Sequence, residues 1–423
     1  MTEAHAEPVA PSAPSAPFAP SEAAAPRQST YRVAAIPGDG VGPEVLTAGR
    51  RVLDAVGVVD GFKFDWTELT VGGAGIDAWG VAIRPEDLAR CAASDAVYLG
   101  AVGGPKWDDP TSPVRPEQAL FALRGGLELF ANLRPVTIHP ALAAASPLRP
   151  ELLVGVDLLF VRELTGGLYF GPRTEATGQP GSRTASDTLP YAEHEIVRVV
   201  RLAFELARGR RRRLTSVDKA NVLATSRLWR RVADELRPAF PDVVLDHRLV
   251  DACAMQLVRR PADFDVVVTE NLFGDILSDE ASVLAGSLGM LPSASVGERR
   301  TAHGLLGLYE PIHGSAPDIA GQDLANPIGT ILSGAMLLRW SLGRVEAADA
   351  VEAAVSRALD DGFRTADLWP VDERAAEGLR RVGTRAMAAA IEDRLWVGTT
   401  GSAERTGAEA VAAILTAGSG AVR

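Results

Sequence analysis

Residues 31–44 read Tyr31-Arg-Val-Ala-Ala-Ile36-Pro37-Gly38-Asp39-Gly40-Val41-Gly42-Pro43-Glu44. The short apolar run from Tyr31 to Ile36 predicts a buried strand. Pro37 to Pro43 predicts a turn. Pro43 suits a first helical turn, where its missing N–H has no helical partner to lose. The spacing therefore predicts a helix from Pro43 through Glu44, Val45 and Leu46 toward Val56. A Rossmann dinucleotide site needs G-x-G-x-x-G at this place. Here the spacing is G-x-G-x-G followed by proline, so the run is read as a tight strand-to-helix turn.

Strand and helix patterns keep alternating beyond this unit. Strands are expected around Phe62–Leu69, Ala96–Leu99, Leu152–Val161 and Asp265–Thr269. Helices are expected around Pro85–Ala92, Pro116–Phe130 and, in pattern, Asp349–Arg381. This alternation signals an α/β fold with a mostly parallel sheet covered by helices. Residues 166–190 are rich in Gly, Thr, Ser and Pro and long for a plain loop, which suits a protruding arm or hairpin. Residues 1–29 form an Ala/Pro-rich extension with too few large apolar groups to offset ordering entropy. They lack the basic and apolar segments of a secretory signal, and the arginines of a transit peptide. Residues 393–423 shift to Gly, Ala and Thr and read as an atypical tail.

The 423 residues carry 43 Lys and Arg against 54 Asp and Glu, a net charge of −11. That balance argues against a general nucleic-acid binder. An anionic small substrate remains compatible, because local arginines override the global sign. No apolar run is long enough to span a bilayer. Two cysteines, Cys91 and Cys253, make no disulfide framework and suit a reducing, cytoplasmic setting.

Four segments could carry chemistry. In Asn271-Leu-Phe-Gly-Asp-Ile-Leu-Ser-Asp279, Asp275 and Asp279 lie four apart and share a helix face. Mg²⁺ or Mn²⁺ between them would relieve their repulsion; alone, the pair reads better as a solvated acidic face. In the helix after Pro116, Glu117, Leu120, Phe121 and Arg124 share one face. That mixture suits a molecule with an apolar and an anionic end. Arg134 and Arg162 follow, and arginine forks match carboxylates, although any single arginine reads first as a surface ion pair. Lys219, in Ser216-Val-Asp-Lys-Ala-Asn221, is either a tuned base or an exposed lysine. The run Arg208-Gly-Arg-Arg-Arg-Arg213 reads as a solvated helix end.

PGDGVGPE, LFANLRP, VRELTGGLYFG, SVDKANVL, NLFGDILSDEAS, GSLGMLPSAS and YEPIHGSAPDIAG occur in that order. The ordered set, from about Tyr31 to Ile391, resembles the isopropylmalate and isocitrate dehydrogenase family. The resemblance implies two α/β domains around a non-Rossmann NAD site, in a homodimer with a protruding arm. The first domain would comprise 30–130 and 286–392, and the second 131–285. Arg124, Arg134 and Arg162 resemble the trio that grips the malate carboxylates. Asp275 and Asp279 resemble metal ligands, with Asp251 completing the acidic set. Tyr169 and Lys219 resemble the acid/base pair, Lys219 and Asp251 arriving from the partner subunit. Asn221 matches a position on the nicotinamide side. His313, Gly314, Ser315, Ala316, Pro317, Asp318 and Ile319, with Asn326, resemble the adenosine site. Asp318 would favour NAD over NADP by repelling a 2′-phosphate.

The expected reaction is NAD-dependent oxidative decarboxylation of a 3-alkylmalate, isopropylmalate foremost, in leucine synthesis. The region of Glu117, Leu120 and Phe121 is largely apolar, where members taking a third carboxylate use polar groups. Burying an isopropyl group there would contribute about 2 kcal/mol. Position 121 more often holds Leu in the isopropylmalate members, so Phe121 bears on the size of the side group. Gly125 and Gly126 also depart from the family pattern. The same-class alternative is a dehydrogenase of a related 3-alkylmalate, D-malate or tartrate. Alternatives of another class are a family-derived chain without catalysis, and a nucleic-acid binder using Arg210 to Arg213.

Overall fold

The computed structural model describes residues 29–109, 112–370 and 372–395. The opening unit forms as expected. Strand β1 (Thr30–Gly38) leads through the glycine turn into α1 (Gly42–Asp60). Along β1, Tyr31, Val33 and Ala35 enter one apolar cluster while Ala34 and Ile36 enter another. Successive side chains of a strand point to opposite faces, so β1 is buried on both. Helix α1 ends at Gly61, whose φ of 75° supplies the left-handed stop.

β2 (Lys63–Glu68), α2 (Gly73–Trp79), α3 (Pro85–Ala93), β3 (Ala96–Ala101) and α4 (Gln118–Gly126) follow. Next come β4 (Ala131–Thr137), β5 (Asp157–Glu163) and an exposed antiparallel hairpin of β6 (Arg173–Thr177) and β7 (Thr184–Asp187). α5 (Glu193–Arg208), β8 (Arg213–Asp218), α6 (Ala224–Leu236), β9 (Val244–Leu249), α7 (Val250–Arg259), β10 (Val266–Thr269) and α8 (Asn271–Ser282) continue the chain. β11 (Pro292–Arg300), β12 (Leu305–Pro311), α9 (Ile328–Trp340), α10 (Val345–Asp360) and α11 (Thr384–Glu392) close it.

Ten strands make one sheet in the order β2-β1-β3-β12-β11-β4-β5-β10-β8-β9. Pairing is parallel on both flanks. At the centre, β11 runs antiparallel to β12 and β4, and β4 antiparallel to β5. The sheet is thus continuous across residues 131 and 286, where the expected partition falls. The central register sets Arg162 opposite Asn132, and Asn132 opposite Ser295.

Three expected elements are shorter than the sequence reading. The helix of 116–130 stops at Gly126, and Glu128 takes a φ of 59°. Two consecutive glycines remove the helix preference there. The strand of 152–161 starts only at Asp157, because Pro150–Leu152 is a 3₁₀ turn and Gly155 has a φ of 73°. The helical pattern of 349–381 ends with α10 at Asp360, just before Gly362 at a φ of 85°. The N-terminal extension to residue 28 and the tail from 396 lie outside the described residues. Among the described residues no helix is long and apolar enough to cross a membrane.

Candidate active site

A cleft of about 250 Å³ opens between α4, the central strands, α8 and the end of β12. Helix α4 brings Leu120, Phe121 and Arg124 to it, with Glu117 from its N-cap; β4 brings Arg134 and β5 brings Arg162. A 3₁₀ turn at Gly167–Tyr169 brings Tyr169, and α8 brings Asp275. The predicted arginine trio, Tyr169 and the apolar pair therefore converge.

Arg162 is held by two residues of α8. Its Nε and Nη2 donate to Asn271 Oδ1 at 3.0 and 2.8 Å, and its Nη1 pairs with Asp275. Arg134 donates to Asn132 Oδ1 at 2.7 Å, to Ser278 Oγ at 2.7 Å and to Asp279 Oδ1 at 2.9 Å. Arg124 reaches Glu310 Oε1 at 3.3 Å, while its buried Nε has no hydrogen-bond partner among the described residues. Burial pushes the Arg134 guanidinium down, against the opposing pull of Asp275 and Asp279. Burial, and then the neighbouring Arg134, bring Arg162 to about 10. Three crowded guanidinium groups leave a strongly anion-seeking surface, and the orphaned Arg124 Nε is a donor suited to a carboxylate.

Tyr169 donates its phenol proton to Asp275 Oδ2 at 2.9 Å. Burial first, then the Asp275 carboxylate, push this phenol up to about 12. Helix α8 starts because Glu270 accepts from the N–H groups of Leu272 and Phe273, capping two free donors. Its pitch then sets Asp275 and Asp279 on one face, both near Arg134. Burial raises the Asp279 carboxyl. These are hard oxygen donors of the kind a divalent cation takes. Among the described residues no three His, Cys, Asp or Glu side chains gather closely enough to hold a metal. Asp251 is elsewhere: Lys219 Nζ pairs with its Oδ1 at 2.8 Å and draws its carboxyl below the usual range. Asn221 is exposed in the turn after Lys219. None of these three lines the cleft.

His313 and Gly314 line the cleft's far end, and the rest of their loop continues away from it. The glycine turn is the seat of this loop. Val41 N–H donates to Ser315 O at 2.8 Å, and a Cβ on Gly40 would lie 1.9 Å from that oxygen. Gly40 also has a φ of 58°, so both space and backbone demand glycine. Ile319 and Ala316 pack on Val41, Val45 and Ala325. Asp39 accepts from the N–H groups of Gly73, Ala74 and Gly103, each at 2.8 Å, which locks the turn. Pro317 and the Asp318 carboxylate are exposed. Asn326 is buried, and its side chain is engaged by Asp367 and the Ile328 N–H.

The sequence reading leaves Glu310, Asn132, Asn271 and Ser278 without roles, although each holds an arginine of the trio. YEPIHG and NLFGD contain two of them, but a polar side chain on a strand or at a helix start has no periodic signature. The basic run near Arg208 is largely paired: Arg208 with Asp242 at 2.7 Å, and Arg210 with Asp157 at 2.7 Å and Asp265 at 2.9 Å.

The family model described as isocitrate/isopropylmalate dehydrogenase matches residues 32–391. A 3-isopropylmalate dehydrogenase of Anaeromyxobacter dehalogenans is 58% identical over 86% of this chain and 99% of its own length. One from Geobacillus kaustophilus is 57% identical over 80% of this chain and 90% of its own. Among solved structures, an isocitrate dehydrogenase from Methylococcus capsulatus superposes with a TM-score of 0.74 at 34% identity, covering 86% of this chain and 99% of that one. On the family match and these identities, the chain belongs to the isocitrate/isopropylmalate dehydrogenase family.

Proposed function

We propose that this chain oxidises and decarboxylates (2R,3S)-3-isopropylmalate to 4-methyl-2-oxopentanoate and CO₂, with NAD and Mg²⁺ or Mn²⁺, in leucine biosynthesis. The observation that carries the reading is one cleft holding Arg124, Arg134 and Arg162 against Tyr169 and Asp275, beside an apolar wall of Leu120 and Phe121.

Arg124, Arg134 and Arg162 bind the two carboxylates and so fix which carbon faces the cofactor. The loop from His313 to Ile319, with Asn326 and Asn221, would hold NAD, which when bound would supply the acceptor for the C2 hydride. The exposed Asp318 carboxylate selects against a 2′-phosphate. Asp275 and Asp279, with Asp251 of the partner subunit, would hold a divalent cation, which would supply Lewis-acid stabilisation of developing negative charge. Lys219 of the partner subunit takes the hydroxyl proton. After CO₂ leaves, Tyr169 returns a proton to carbon, a role suited to a phenol kept protonated. Leu120, Phe121 and the stem of Glu117 receive the isopropyl group.

The homodimer belongs to this proposal. Within one chain Lys219 and Asp251 pair with each other outside the cleft. A second copy supplies the missing acid and base. Residues 30–130 with 286–392, and residues 131–285, act as two domains meeting where β11 pairs with β4, with the exposed hairpin as the arm. Their closure excludes water. Free, buried Cys91 and Cys253 suit the cytoplasm.

Steady-state rates on a malate series test the substrate. The expected order is highest kcat/KM for 3-isopropylmalate. A higher value for unsubstituted D-malate would overturn it.

A further inference from the structure

Phe121 and Phe170 meet edge to face, with ring centroids 5.4 Å apart and planes at 83°. The two rings come from different elements. Phe121 stands on α4 between Leu120 and Arg124, and lines the cleft. Phe170 immediately follows Tyr169, at the end of the 3₁₀ turn whose Gly167 carbonyl accepts from the N–H groups of Phe170 and Gly171. Phe170 is 38% exposed, and Phe121 is the aromatic ring it meets.

We infer that Phe170 is a positioning residue for Tyr169, and that the Phe121–Phe170 pair makes turnover depend on the substrate's alkyl group. The inference rests on the reading of the substrate as a 3-alkylmalate. An alkyl group on C3 packs against Leu120 and Phe121. Phe121 passes that contact to Phe170, and Phe170 shares a tight turn with the phenol that returns a proton to carbon. Binding energy from a non-reacting group is thereby used to orient the acid, which raises kcat rather than only lowering KM. A leucine at 121 offers no ring edge to Phe170, so this coupling follows from the phenylalanine of this chain. The larger ring also shortens the apolar end of the cleft.

The test is a double-mutant cycle of Phe121→Leu, Phe170→Leu and the double variant, assayed on D-malate, 3-methylmalate, 3-isopropylmalate and 3-isobutylmalate. Phe170→Leu is expected to lower kcat on 3-isopropylmalate by about three- to tenfold, the size of an aromatic pair, with KM held within about twofold. Its effect on D-malate, which has no alkyl group, is expected to stay within about twofold. Phe170→Tyr, which keeps the ring, restores the kcat. In the Phe121→Leu background, loss of Phe170 adds little, and the ratio of 3-isobutylmalate to 3-isopropylmalate kcat/KM rises. Multiplying single-variant losses, or an equal kcat loss on D-malate, would overturn the pairing. Failure of the unaltered enzyme on every 3-alkylmalate would instead overturn the substrate reading beneath it.

Discussion

The phenol of Tyr169 lies 2.9 Å from Asp275 Oδ2, and burial followed by that carboxylate pushes it up to about 12. It therefore stays protonated throughout the neutral range. The proton is thus present at every neutral pH, although its transfer has less driving force than from an acid titrating near 7. Tyr169→Phe keeps the ring and its place over Arg162, and removes only the hydroxyl. kcat is expected to fall by about 100-fold or more, with KM little changed because the arginine trio is untouched. An unchanged kcat in Tyr169→Phe would remove the residue from the mechanism.

At the scale of one element, α8 and α4 offer matched glycine tests. Gly274 lies in α8, and a Cβ there would come within 2.6 Å of Arg162 Cγ. Alanine favours a helix interior by up to about 1 kcal/mol, yet here it would displace a guanidinium held by Asn271. Gly274→Ala is expected to lower kcat/KM by at least about tenfold through misplaced carboxylate binding. Gly125, in α4, faces open space with nothing within 4 Å of its Cβ position. Gly125→Ala is expected to raise stability by about 0.5–1 kcal/mol in urea titration, with activity retained. The reverse ranking would mean that the Arg162 packing is not what fixes the trio.

The same helices show what a sequence can and cannot declare. Asp275 and Asp279 are legible as a pair because helical pitch alone brings i and i+4 together. Glu310 is not legible as the partner of Arg124, since 186 positions separate them and only the sheet brings them into range. The β1–α1 unit is legible because its strand is apolar on both faces. The early end of α4 is hinted at by Gly125 and Gly126, but apolar Leu127, Leu129 and Phe130 continue the pattern past the helix. The family roles entered through ordered motifs, which local physics alone would have left as a solvated acidic face and scattered arginines.

For the whole molecule, buried neutral acids set the alkaline limit. Burial pushes the Cys91 and Cys253 thiols up to about 12, and it raises the Tyr98, Tyr191 and Tyr309 phenols as well. Folding keeps these groups protonated, while the unfolded chain releases thiol protons from about pH 9 and phenol protons from about pH 10. Above those values the unfolded state binds fewer protons, so stability falls as pH rises, by up to about 1.4 kcal/mol per pH unit for each group. The urea midpoint is expected to drop steadily from pH 9 to 11; a flat midpoint would show that these groups are not shielded. Assembly is the other molecular question, and complementation answers it. In Lys219→Ala the cleft keeps Tyr169 and the arginines, and in Tyr169→Phe the chain keeps Lys219 and Asp251. If each site draws Lys219 from the partner, a mixed dimer holds one intact site and one doubly defective site. Co-refolding equal amounts forms mixed dimers in about half of cases, so about one quarter of the unaltered activity is expected to return. Each variant refolded alone stays near background. A mixture no more active than the variants would mean that Lys219 acts within its own chain, and the exposed Lys219–Asp251 pair would then have to reach the cleft by a movement of α7 and the β8–α6 turn.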